Sequence, residues 1–72
     1  MNNIAKVKRE LVNLNQQKEV NRKLIKVSES LVTTSEKLVE EPDNPENLTV
    51  LAELEGQKEQ LAARAKKLAD EF

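Results

Sequence analysis

The sequence predicts an all-α fold, a two-helix antiparallel hairpin of coiled-coil type. Three observations carry this reading. Val20, Leu24, Val27, Leu31, Thr34 and Leu38 follow alternating steps of four and three, which is the spacing of a coiled-coil seam. Both prolines fall in the segment Glu41-Pro42-Asp43-Asn44-Pro45, the one clear interruption of that pattern. The chain is rich in Ala, Glu, Lys, Leu and Arg, has 35% charged residues and contains one glycine, a composition typical of long helices. Low hydropathy and a single aromatic would also suit a disordered chain, but the strict aliphatic spacing argues against disorder.

The first helix is expected over residues 3–41. Proline disfavours helical geometry in the residue before it, so Pro42 ends the helix. Residues 42–44 form the turn. Asn44 then caps the second helix, expected over 45–70, and Pro45 fits its first position, where the missing N–H sacrifices no hydrogen bond. Gly56 lies inside this second helix and costs about 1 kcal/mol relative to alanine.

A turn this short makes the helices antiparallel, and facing residues should then have numbers with a constant sum. Leu24 with Leu61, Leu31 with Leu54, Val20 with Ala65 and Thr34 with Leu51 all add to 85. Leu38 with Leu48 and Leu14 with Phe72 add to 86. Leu24, Leu31, Leu54 and Leu61 are therefore expected to be largely buried and to carry the fold. The same register leaves residues 1–13 with nothing opposite them.

Seven aliphatics do not belong to this seam: Ile4, Val7, Leu11, Leu14, Ile25, Val32 and Val39. They occupy a second ladder of three- and four-residue steps, whose other positions are Lys18, Asn21, Ser28 and Ser35. At 3.6 residues per turn, Ile25 sits about 100° around the helix from Leu24. A wide apolar face packed against helix 2 on both sides is the alternative. Small Ser28 and Ser35 and the unpaired N-terminal end favour a separate contact surface. These seven residues, with Lys6, Lys8 and Arg9 beside the N-terminal stripe, are the candidate partner-binding residues. Two hairpins docking through helix 1 would form a homodimeric four-helix assembly, with Asn21 as a buried polar residue fixing register. A different protein offering a helix or groove would satisfy the same surface.

Charge is unevenly placed. Residues 1–26 hold seven basic and two acidic residues, whereas 27–60 hold two basic and nine acidic ones. Residues 61–72 hold three basic and two acidic residues, so the open end of the hairpin is basic and the turn end acidic. Lys6, Lys8 and Arg9 lie at the positive pole of helix 1 and Glu36, Glu40 and Glu41 at its negative pole, against the helix dipole. Such placement hints at steering a partner of opposite charge.

The residue inventory narrows the chemistry. With neither cysteine nor histidine, disulfides, thiolate or imidazole metal ligands and histidine-assisted nucleophiles are excluded. Glu36 with Glu40 and Glu55 with Glu59 sit one turn apart, an ordinary arrangement on exposed helices. Ser28, Ser30, Thr33, Thr34 and Ser35 have no histidine base, and no glycine-rich phosphate loop is present. The expectation is a non-enzymatic protein–protein interaction module, with no cofactor and no metal. No run approaches the roughly 20 apolar residues of a membrane span, and a cytoplasmic location without membrane attachment is expected. The outline resembles many short coiled-coil adaptors, assembly factors and small regulators, phage-encoded ones included, a likeness of architecture that transfers no function. The alternative is a nucleic-acid-binding accessory protein using Lys6, Lys8, Arg9, Lys18, Arg22, Lys23 and Lys26 on phosphates. No aromatic is placed to stack on bases, and the net charge is −1, so nucleic acid is the less favoured partner.

Overall fold

A computed structural model describes residues 3–71 as two helices, α1 (Asn3–Glu40) and α2 (Pro45–Asp70), with no strand among the described residues. α1 ends on the amide of Glu41, which donates to the Lys37 carbonyl at 2.8 Å. The Asn44 amide donates back to the Glu41 carbonyl at 3.3 Å and closes the turn. Asn44 has extended backbone geometry, φ −73° and ψ 111°, and its side-chain oxygen accepts from the amides of Glu46 at 3.0 Å and Asn47 at 3.3 Å. Its Nδ2 donates to Glu41 Oε2 at 2.9 Å. One asparagine thus satisfies two of the free donors of α2 and ties the new helix to the end of the old one. Glu46 in the first turn of α2 and Lys67 in its last turn suit that helix's dipole, whereas the first turn of α1 holds no acid.

The helices lie antiparallel along one seam. On α1 the least exposed residues are Glu10, Asn13, Gln17, Val20, Leu24, Val27, Leu31, Thr34 and Leu38, again in steps of three and four. On α2 they include Leu51, Leu54, Leu61, Ala65 and Leu68. Val20, Val27 and Leu68 form the buried apolar centre, with Thr34 also buried.

Three expectations are corrected. Leu24, Leu31, Leu54 and Leu61 are only half-buried, because two cylinders touch along a line and leave the outer edges of seam residues in solvent. The molecule measures 63 × 15 × 13 Å, with a radius of gyration of 17.3 Å. A compact chain of this length would have about 11 Å, so this is a rod without an interior. At the turn end Asn47 turns inward opposite Leu38, and Leu48 stays 49% exposed. At the open end Asn13 is not unpaired: its Nδ2 donates to the Leu68 carbonyl at 2.9 Å and to Glu71 Oε2 at 3.2 Å. The proposed layer of Leu14 with Phe72 lies outside the described residues.

Candidate functional site

The second ladder of α1 lies on the surface of the rod as two apolar runs, Ile4 to Leu14 and Ile25 to Val39, separated by Lys18 and Asn21. Ile4, Val7, Leu11, Leu14, Ile25, Val32 and Val39 are each between 56% and 81% exposed. Scattered surface aliphatics are ordinary, whereas these seven share one side of the helix. At a rise of 1.5 Å per residue the stripe runs about 53 Å from Ile4 to Val39. Its middle is polar, and Leu14, Gln17, Lys18, Asn21, Arg22 and Ile25 line a shallow depression there. Asn21 is exposed, so within one hairpin it is not the buried polar residue of the seam.

The stripe does not stand alone on its side of the hairpin. The half-exposed edges of Leu31 and Leu51 open into a groove shared with Ser35, Glu55, Glu59 and Ala62. Ser35 therefore lies beside a row of α2 that reads Leu48, Glu55, Ala62 and Ala69 at seven-residue spacing. Small side chains in that position allow another helix to approach closely. The contribution of α2 was missed in the sequence. Glu55 interrupts Leu48, Ala62 and Ala69 in that heptad position, so the sequence carried little signal for it.

The opposite side of the seam has a different character. Lys23, Lys26 and Arg64 line a groove there with Gln57, Gln60 and the edges of Val27 and Leu61. Lys6, Lys8 and Arg9 are exposed but do not form one band along the stripe. Lys8 and Arg9 border a depression with Val12, Asn13, Gln16 and Glu71, and at 100° per residue Arg9 lies on nearly the far side of α1 from the stripe.

Asn13 is the polar feature that sequence reading overlooked. It is 3% exposed, and its Oδ1 accepts a short hydrogen bond from Gln17 Nε2. The Leu68 carbonyl belongs to the last turn of α2, where carbonyls lack partners within the helix. Asn13 therefore caps α2 from the neighbouring helix and fixes the hairpin register at its open end. Running the seam ladder backward from Val20 lands on 17, 13 and 10, which was the signal available.

Among the described residues no group of three or more Asp or Glu is arranged to hold a metal ion, and no helix is long and apolar enough to cross a membrane. Comparison with protein-family models, curated proteins and solved structures gives no match.

Proposed function

We propose that this chain is a non-enzymatic protein–protein interaction module, a small adaptor, assembly factor or regulator. In this reading it acts through the exposed stripe of α1 and associates with itself into a four-helix assembly. The observation that carries this reading is the exposure of all seven stripe aliphatics on a hairpin whose seam leucines are themselves half-covered. A second helical layer on that side would bury the stripe together with the exposed edges of Leu31 and Leu51, the usual solution for helices with two apolar faces. Residues 4–14 combine Ile4, Val7, Leu11 and Leu14 on a projecting helical end, suited to insertion between helices of a partner.

Thermal melting followed by circular dichroism tests the reading. A self-associating hairpin gains stability by mass action, so Tm rises with protein concentration. The wild type should show this rise between 5 and 500 μM, roughly the span over which a modest dimer forms. A chain with Ile25→Asp and Val32→Asp should lose the concentration dependence while staying helical. The groove formed by Lys23, Lys26 and Arg64 favours one second reading, contact with a polyanion. Duplex DNA bound through several phosphates would be lost steeply between about 50 and 200 mM salt, and binding through an apolar stripe would not.

A further inference from the structure

We infer that the second copy docks antiparallel and in full overlap, so that the basic open end of each hairpin covers the acidic turn end of the other. The inference rests on the self-association proposed above and assigns its geometry. Three observations carry it.

First, the stripe is nearly symmetric about its own midpoint. With a twofold axis near residue 21, Ile4 lies opposite the partner's Val39, Leu11 opposite the partner's Val32, and Lys18, the one charged residue of the row, opposite the partner's Ile25. Val7 and Leu14 then meet the small side chains of the partner's Ser35 and Ser28, large against small, as interlocking helices require. Asn21 sits beside its own symmetry mate, where two amides can pair. Sliding one copy by a heptad in either direction removes Ile4 or Val39 from contact. A strip about 53 Å long and one helix wide, roughly 10–12 Å, covers on the order of 600 Å². A standard specific interface needs about 800 Å² per partner, so the full length must be used and the neighbouring row of α2 must add to it.

Second, charge selects the orientation. Residues 1–26 carry a net +5 (seven basic, two acidic) and residues 27–60 a net −7 (two basic, nine acidic). A parallel dimer would stack like on like along its whole length. In the antiparallel arrangement Lys8, which flanks the stripe, faces the partner's Glu36, an opposite-charge pair at each end of the interface, while Arg22 on the same flank meets its own mate at the centre. The charge asymmetry that opposes the dipole of α1 thereby acquires a use between copies.

Third, the two seams of α1 lie about 100° apart, close to the right angle at the corner of a square. α1 then touches its own α2 on one side and the partner's α1 on the other, and the twofold axis brings the two α2 helices together. Their Ala62 and Ala69 row faces that closing contact. At the level where α1 projects past Asp70, the partner offers the exposed side chains of Val39 and Leu48.

The chain contains no cysteine, so single spin labels can be placed cleanly. Lys26 and Glu40 point away from both seams and are exposed. Labels on Glu40→Cys should lie about 55–60 Å apart in the dimer, and labels on Lys26→Cys about 25–30 Å, from the helical rise and the width of two helices. Pulsed dipolar spectroscopy reads both distances, with light scattering on the same samples. Dimeric mass with both pairs within about 30 Å overturns the antiparallel arrangement and leaves self-association standing. Dimeric mass with other distances overturns the register. Monomeric mass without dipolar coupling removes self-association itself.

Discussion

Replacing Asn13 separates a register-fixing polar contact from simple space filling. Its Nδ2 donates to the Leu68 carbonyl at 2.9 Å and to Glu71 Oε2 at 3.2 Å, and the side chain is 3% exposed. Asn13→Ala removes the donor and leaves the Leu68 carbonyl with only a long 3.3 Å bond from the Glu71 amide. Leaving a buried acceptor with one long bond costs about 1–2 kcal/mol, and the contact to exposed Glu71 adds little. A loss of about 1–2 kcal/mol is expected, a large share of the few kcal/mol that stabilise a chain of this size. Asn13→Asp keeps the volume but turns a donor into a charged acceptor facing a carbonyl and a carboxylate. It should cost at least ~1 kcal/mol more than alanine, since the Gln17 amide alone does not offset a buried charge set against a carbonyl and a carboxylate. Urea denaturation followed at 222 nm, at one fixed protein concentration, measures both. Asn13→Asp proving as stable as Asn13→Ala would refute the capping role.

Other perturbations have definite expected outcomes. Gly56→Ala meets nothing within 4 Å of the added carbon, so it should raise stability by about 0.5–1 kcal/mol in the same denaturation assay. Asn44→Ala strands the amides of Glu46 and Asn47 and should cost about 1 kcal/mol. Leu31→Ala should cost about 1–2 kcal/mol in a dilute monomer, less than for a fully buried leucine. That cost should grow with protein concentration if a second copy covers Leu31. Raising salt from 50 to 500 mM should weaken the assembly only several-fold, because its electrostatic part is screened and its apolar part is not.

The helical character and the antiparallel seam were legible because they rest on repetition. Two prolines and an asparagine mark the turn, and Val20, Val27 and Thr34 hold the ladder that the structure buries. Reading stopped where polar residues joined the pattern. Asn13 and Gln17 occupy seam positions, but a search for aliphatics passes over them and mistakes a capped end for an unpaired one. The half-exposure of Leu24 and Leu61 was missed for a different reason. Spacing tells which residues face a neighbour, whereas depth of burial depends on how many neighbours there are. Periodicity grouped the exposed aliphatics of α1, whereas the α2 row of Leu48, Glu55, Ala62 and Ala69 needed the folded register before its adjacency could be seen. Lys8 and Arg9 are close in sequence yet diverge around the helix, which only the angular position of each residue reveals.

If a second copy covers the stripe of α1, the chain is a dimer in solution. Multi-angle light scattering behind size exclusion, at tens of micromolar protein, tests it most directly. The wild type should elute with a mass of about 16 kDa, twice the 8.2 kDa of one chain, and the chain with Ile25→Asp and Val32→Asp should return to a single-chain mass with its helical spectrum retained. A wild-type mass of one chain throughout that concentration range, or a dimer indifferent to both substitutions, would contradict the account.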